Sequence, residues 1–141
     1  MSDAVRLAAI SEESLDVDAV MAACDDDSSG GLVVFVGRVR DHDGGKGVTE
    51  LTYTAHPTAL DRLREVCERV AAEHDVAAVA AVHRVGKLKI GDAAVVVATA
   101  TSHRGEAFAA SKALIDSLKA EVPIWKDQLF SDGQREWVGA P

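Results

Sequence analysis

The sequence is short of cysteine, of aromatic residues and of long apolar runs, and each shortage excludes a class of protein. Two cysteines, Cys24 and Cys67, occur in 141 residues, too few for a disulfide framework and without the paired spacing of a zinc site. No run approaches the roughly 20 apolar residues of a membrane span, and the first residues lack the basic and apolar segments of a secretory signal. These absences predict a reduced, cytoplasmic protein with no membrane partner.

Basic residues are also scarce, since 15 Lys and Arg stand against 23 Asp and Glu, which gives a formal net charge of −8. A surface of that sign argues against general binding to nucleic acid. The five histidines have neither the H-x-x-x-H nor the H-E-x-x-H spacing of a zinc site, so we expect no metal. Hydrophobic residues make up 48%, enough for a core, and the length predicts one domain over residues 1–141.

Hydrophobic periodicity predicts an irregular alternation of strands and helices. The predicted strands cover residues 5–10, 32–40, 48–55, 76–85 and 93–101, and the predicted helices cover residues 16–24, 58–74 and 105–121. We expect strand 32–40 to be buried on both faces and strand 48–55 to pair with it. Asp16 is the expected N-cap of the first helix, and Thr58 with Asp61 forms a rough capping box for the second. This order predicts an α+β protein with a mostly antiparallel sheet and helices packed on it.

Several basic residues occur in otherwise apolar or structural surroundings, which points to an anionic ligand. The candidates are Arg38, Arg40, His103, Arg104, Lys119 and Lys126. Lys119 ends an apolar stripe that includes Phe108 and Ile115 in the last predicted helix. His103 and Arg104 open the same helix, where free backbone N–H groups favour an anion. Two alternatives stay open: the cations pair with the surplus carboxylates, or Lys119 only extends its ammonium from an apolar face into water.

A series of short motifs keeps its order and spacing from about Gly31 to Val138. In chain order they are Phe35-Val36-Gly37-Arg38-Val39-Arg40, His83-Arg84-Val85-Gly86-Lys87-Leu88, Ser102-His103-Arg104, Leu118-Lys119-Ala120-Glu121-Val122-Pro123-Ile124-Trp125-Lys126 and Trp137-Val138. This series resembles the catalytic, large subunit of molybdopterin synthase, and the chain is identified as a member of that family.

The resemblance implies a sulfurtransferase of molybdenum cofactor biosynthesis, which converts cyclic pyranopterin monophosphate into the dithiolene of molybdopterin. It implies that sulfur arrives as a thiocarboxylate on the C-terminal Gly-Gly of a small ubiquitin-like subunit, whose tail enters a pocket of the large subunit. Two large subunits would form a central homodimer with one small subunit at each end, a heterotetramer. The implied fold is of the α/β-hammerhead type with an added antiparallel sheet, and no metal or other cofactor is expected.

The resemblance also implies roles for individual residues. Lys119 and Lys126 correspond to catalytic lysines at the arriving thiocarboxylate. The implied substrate contacts are Arg38, Val39, Arg40, His103, Arg104, Lys119, Lys126, Asp127 and Gln128. Of these, His103 and Arg104 would serve the site of the neighbouring large subunit.

Two positions and the chain end depart from the family pattern. Asp127 stands where a basic residue is more common. Gln128 stands where glutamate is more common, and an amide cannot take a proton at neutral pH as a general base would. Many members also carry a basic residue after the final Trp-Val pair, where this chain has Gly139-Ala140-Pro141.

Two other functions stay open at this point. A non-catalytic, anion-binding α+β regulatory module explains the arginines and the start of the last helix, but not the lysines on either side of Pro123. A scaffold that docks a ubiquitin-like partner is the second alternative. Turnover with a thiocarboxylated partner separates the enzyme from the scaffold.

Overall fold

The computed structural model describes residues 2–139, and its elements follow the predicted order with further strands of two to seven residues. The strands are β1 (Val5–Ser11), β2 (Gly31–Arg38), β3 (His42–Asp43), β4 (Lys46–Ala55), β5 (Ala78–Arg84), β6 (Gly86–Leu88), β7 (Ala93–Thr101), β8 (Ile124–Phe130) and β9 (Arg135–Val138). The helices are α1 (Val17–Ala23), α2 (Ala59–Glu73) and α3 (Arg104–Glu121). No helix within residues 2–139 is both long enough and apolar enough to cross a membrane.

The main core is built on a four-stranded sheet in the order β1-β5-β7-β2. The β1–β5 pair is parallel, and the other pairs are antiparallel. The central strands β5 and β7 consist largely of alanine and valine and are almost wholly buried. Because successive side chains of a strand point to opposite faces, one set packs against α2 and α3 and the other packs against α1.

A second sheet, with the order β3-β4-β8-β9, carries β6 as a further partner of β4. All of its pairs are antiparallel. The two sheets meet through a small buried cluster, Val39, Leu51, Leu88 and Ala94, with Tyr53 packed against it. The predicted α+β fold with a mostly antiparallel arrangement is therefore confirmed.

Two predictions about the strand at residues 32–40 are wrong. β2 is an edge strand that is partly open on both faces, since Leu32 is 43% exposed and Phe35, on the opposite face, is 40% exposed. β4 pairs with β8 instead of β2, while β2 pairs with β7 over its whole length. An apolar run predicts a strand with apolar side chains that will be buried, but it does not specify which other strand or which molecule covers those side chains.

Of the two N-caps predicted from the sequence, one forms its hydrogen bond and the other does not. The side chain of Asp16 accepts a 3.1 Å hydrogen bond from the backbone N–H of Ala19, as predicted for an N-cap. Thr58 forms no side-chain cap bond. Its hydroxyl lies 2.9 Å from Nδ1 of His56 instead, because this nearer partner competes with the backbone for the same oxygen.

The apolar stripe predicted for the last helix is not its buried face. α3 turns Ala107, Ala110, Ser111, Leu114 and Leu118 toward the core. Phe108 is 62% exposed and lines a surface hollow beside β2 together with Ile115. The core-facing side of α3 combines small residues with Leu114 and Leu118, and it leaves Phe108 at the surface.

Candidate active site

A half-open pocket of about 220 Å³ lies where the end of α3 meets the second sheet. Its lining comes from five elements and the turns between them: Tyr53, His83, Leu118, Lys119, Val122, Ile124, Lys126, Val138 and Gly139. Apolar side chains form much of the wall, and lysine, histidine and tyrosine supply its polar groups.

Both predicted catalytic lysines line this pocket, and the local chain path explains why. Lys119 lies in the last turn of α3, and the helix stops at Glu121 because proline follows at position 123. The chain reverses directly into β8, where Lys126 pairs with Tyr53 of β4. The proline-ended helix therefore brings the two lysines to one cavity.

The two ammonium groups form no ion pair with a carboxylate within residues 2–139. Partial burial, followed by the charges of Lys126 and Arg40, lowers the pKa of Lys119. Lys112 on the same helix differs, since Asp116 lies 2.6 Å from its ammonium and raises its pKa. The pocket thus presents positive charge to an anion, and Lys119 gives up its proton more readily than an ordinary lysine.

Arg40 reaches the same region from the loop after β2. Its guanidinium lies 3.6 Å from the carboxylate of Asp43, and Asp43 in turn accepts a 2.7 Å hydrogen bond from the side-chain amide of Gln128. That hydrogen bond, supported by the charges of Lys126 and Arg40, outweighs the opposing effect of burial and holds the pKa of Asp43 below its usual value. Asp43 is therefore an ionised member of the cationic site, and it lies outside the motifs and candidate residues named from the sequence.

The amide at position 128 has a defined structural task. Gln128 is 2% exposed and projects from the same face of β8 as Lys126, two residues earlier. Its amide nitrogen donates to Asp43, which sits on the β3–β4 hairpin. The carboxylate that this chain lacks at position 128 is thus present on the neighbouring hairpin.

His83 and Tyr53 are further pocket residues to which sequence reasoning gave no role. His83 is 4% exposed, and burial, with a smaller contribution from Lys119, lowers its pKa to about 4 against the opposing effect of a hydrogen bond to the Arg84 carbonyl. Burial likewise raises the pKa of Tyr53. The sequence could have pointed to His83, because this residue opens the second of the motifs that resemble the family.

Three predicted substrate contacts lie away from this pocket. The guanidinium of Arg38 donates to the carbonyl of Gly91 at 3.2 Å. Val39 is 5% exposed and belongs to the cluster that joins the sheets. Asp127 forms a 2.9 Å ion pair with Arg135 and points to the opposite face of β8 from Lys126 and Gln128. Their contact with substrate stays a prediction.

His103 and Arg104 lie at the far end of α3 from Lys119. Both are exposed, and the helix separates Arg104 from Lys119 by about 22 Å at ~1.5 Å per residue. The start of β2 passes close to them, since a Cβ at Gly31 would lie 3.1 Å from Cα of Arg104. A single chain therefore does not bring this pair to the lysine pocket.

Comparison with known proteins places this chain in a family. The model of the MoaE protein family matches residues 10–121, well over half of the chain. The chain belongs to the MoaE protein family.

Named relatives of this MoaE chain cover nearly all of it. The molybdopterin synthase catalytic subunit 1 of Mycobacterium tuberculosis is 46% identical over 131 residues, 92% of this chain and 88% of the relative. The molybdopterin synthase catalytic subunit of Nostoc sp. is 39% identical over 92% of this chain and 80% of the relative. The crystal structure of molybdopterin synthase from Staphylococcus aureus matches with a TM-score of 0.85 and 30% identity, covering 92% of this chain and 94% of that one.

Proposed function

We propose that this MoaE chain is the catalytic subunit of a molybdopterin synthase. Its pocket takes sulfur from the C-terminal thiocarboxylate of a small ubiquitin-like subunit and adds it to cyclic pyranopterin monophosphate, which yields the dithiolene of molybdopterin. The observation that carries the proposal is the pair Lys119 and Lys126 in one pocket. The motifs of the sequence and the names of the relatives support the same reaction.

The pocket suits a thin chain end that carries a negative charge. A tail of two glycines has no side chains, so it can pass between the apolar walls formed by Leu118, Val122 and Ile124. Its terminal thiocarboxylate then meets the ammonium groups of Lys119 and Lys126. Charge-assisted hydrogen bonds of this kind are about twice as strong as neutral ones, so the anionic end is held where the chemistry takes place.

The lysines also fit the steps that follow. Each transfer forms a carbon–sulfur bond to the pterin and breaks the carbon–oxygen bond that the sulfur replaces, so that one oxygen stays on the phosphate as its ring opens and the other leaves as water. Water then cleaves the bond between that sulfur and the acyl carbon, and its oxygen remains on the tail as part of a carboxylate. Negative charge develops on the acyl oxygen as water attacks, and a neighbouring ammonium stabilises it. Lys119, whose pKa is lowered, also donates and recovers a proton readily. Arg40 offers its guanidinium to the substrate phosphate.

A second copy of the chain would complete the site. His103 and Arg104 are exposed and too far from the lysines of their own chain to act there, so we assign them to the pocket of a neighbouring copy. The surface on the α3 side of β2 is apolar, since Phe35 is 40% and Phe108 is 62% exposed and both line one hollow. This patch, which flanks edge strand β2, is the surface on which we expect the two copies to meet.

Turnover by lysine variants tests the proposed function. The assay combines the full-length chain, a thiocarboxylated small subunit and cyclic pyranopterin monophosphate, and it measures the dithiolene pterin formed. Lys119→Ala should abolish product while the fold remains, because Lys119 lines the pocket. Lys112→Ala is the matched control, since Lys112 lies on the same helix but pairs with Asp116, and it should retain near-normal turnover.

Two outcomes would contradict the proposal. Normal turnover by folded Lys119→Ala would remove this lysine from the mechanism. Binding of the small subunit without any turnover by the unmodified chain would instead favour a docking scaffold.

A further inference from the structure

The proposed reaction gives no task to His83, although this residue forms part of the wall of the lysine pocket. His83 lies near the end of β5 and is 4% exposed. Its ring meets Tyr53 edge to face, with centroids 4.9 Å apart and planes at 80°. Burial and the contact with Tyr53 thus hold the ring in place on the pocket wall.

The hydrogen bond of one ring nitrogen defines the state of the other. Nδ1 of His83 lies 2.7 Å from the backbone carbonyl oxygen of Arg84. A carbonyl oxygen only accepts, so Nδ1 must carry the proton and donate it. In the neutral ring Nε2 is then an unprotonated acceptor, and it has no hydrogen-bond partner within residues 2–139.

The pocket needs such an acceptor if a peptide tail enters it. The ammonium groups of Lys119 and Lys126 can only donate. Among the polar side chains that line the pocket, only Nε2 of His83 and the hydroxyl of Tyr53 can accept. A tail of two glycines brings backbone N–H donors, which lose their water partners as they enter. An unpaired buried donor costs binding free energy, so a side-chain acceptor on the wall favours a peptide over a simple anion.

We propose that Nε2 of His83 accepts a hydrogen bond from a backbone N–H of the glycine tail, and that His83 is thereby a specificity-determining residue of the pocket. This inference rests on the proposed function, because that function supplies the tail. His83 would distinguish a peptide thiocarboxylate from a small anion such as phosphate, which the two lysines alone would also attract.

The charge state of the ring agrees with this role. The pKa of His83 is lowered to about 4, so the ring is neutral at physiological pH and Nε2 keeps its lone pair. A ring so weakly basic does not take a proton from a lysine ammonium. It therefore serves as a hydrogen-bond acceptor and adds no third positive charge beside the lysines.

A double-mutant cycle between protein and ligand tests the inference. The probes are a short synthetic peptide that ends in Gly-Gly and two analogues, each with one of these glycines N-methylated so that its N–H is lost. Binding to the full-length chain is measured by calorimetry or NMR titration. The variants are His83→Phe, which keeps an aromatic ring against Tyr53 but has no acceptor, and His83→Gln, whose amide oxygen can still accept.

One of the two N-methyl analogues should bind the unmodified chain about 2- to 10-fold more weakly than the parent peptide, the change that one neutral hydrogen bond makes in a Kd. The same methylation should make little difference in His83→Phe, and His83→Gln should recover part of the difference. Equal losses in the unmodified chain and in His83→Phe for both analogues would overturn the inference.

A spectroscopic measurement on the unmodified chain covers the case in which His83→Phe does not fold. The ¹⁵N resonance of unprotonated Nε2 should move when the Gly-Gly peptide is added and move less with the critical N-methyl analogue. An unchanged resonance in the peptide-bound chain would overturn the assignment of His83 alone. Failure of the unmodified peptide to bind at all would overturn the docking step of the proposed function as well.

Discussion

Replacing His83 by glutamine should make the fold less sensitive to acid. Burial lowers the pKa of His83 from 6.5 to about 4 in the folded chain, whereas the ring of the unfolded chain keeps its ordinary value. Above pH 6.5 neither state holds this proton, and the ring adds no pH dependence. As the pH falls from 6.5 toward 4, the unfolded chain takes up a proton that the folded chain refuses, so stability is lost across that window.

The size of this loss follows from the same two values. The gap between 6.5 and about 4 corresponds to about 3 kcal/mol at ~1.4 kcal/mol for each tenfold change. Most domains have a free energy of unfolding of only about 5–15 kcal/mol, so the effect is large enough to measure. Urea unfolding followed by tryptophan fluorescence gives that free energy at a series of pH values.

A comparison of His83→Gln with the unmodified chain isolates the contribution of the His83 ring to the pH dependence of stability. His83→Gln has no group to titrate at this position, so its free energy of unfolding should decline less than that of the unmodified chain between about pH 6.5 and pH 4. His56→Gln, the same change at an exposed residue, controls for the substitution. If His83→Gln and the unmodified chain lose equal free energy over this range, the neutral buried state assigned to His83 is wrong.

Three further predictions concern other groups. Near pH 8 an amine-acylating reagent should modify Lys119 faster than Lys112, because the pKa of Lys119 is lowered and that of Lys112 is raised. Mass spectrometry gives the ratio of the two labelling rates, and faster labelling of Lys112 would contradict the prediction. Asp43→Asn should tighten binding of inorganic phosphate about 3- to 10-fold by removing a negative charge beside the site's cations. Asp41→Asn removes the same charge from an exposed carboxylate paired with a histidine, and it should leave phosphate binding unchanged. Equal effects of the two variants in NMR titration would refute the placement of Asp43 beside the cations of the site. Phe108→Glu should convert the proposed dimer to monomers in sedimentation velocity, and a variant that stays dimeric would place the interface elsewhere.

The positions of helices and strands are largely predictable from this sequence, but their partners are not. The last helix was expected at residues 105–121 and is found at Arg104–Glu121, because periodicity and a following proline are local signals. The pairing of β4 with β8 joins segments far apart in the chain. Periodicity within a segment carries no information about its partner, so the expected pairing of β4 with β2 failed.

The same distinction holds for the pocket. Lys119 and Lys126 could be predicted from a motif, and the proline between them explains why they share a pocket. The place of Asp43 in the site could not be predicted, since it depends on a hydrogen bond from Gln128, 85 residues away. His83 stood in a quoted motif, but its burial and its protonation state arise from tertiary packing around the ring.

Complementation between two inactive variants tests most directly the claim that the catalytic lysine and the phosphate-binding pair come from different copies. Lys119→Ala and Arg104→Ala homodimers are each expected to form no dithiolene with the thiocarboxylated small subunit. A mixed dimer places an intact lysine and an intact arginine in one of its two sites, so co-expression should restore about a quarter of normal turnover for random pairing in a symmetric dimer. Mixed dimers that are present but remain inactive, or an Arg104→Ala homodimer with normal turnover, would contradict the shared site.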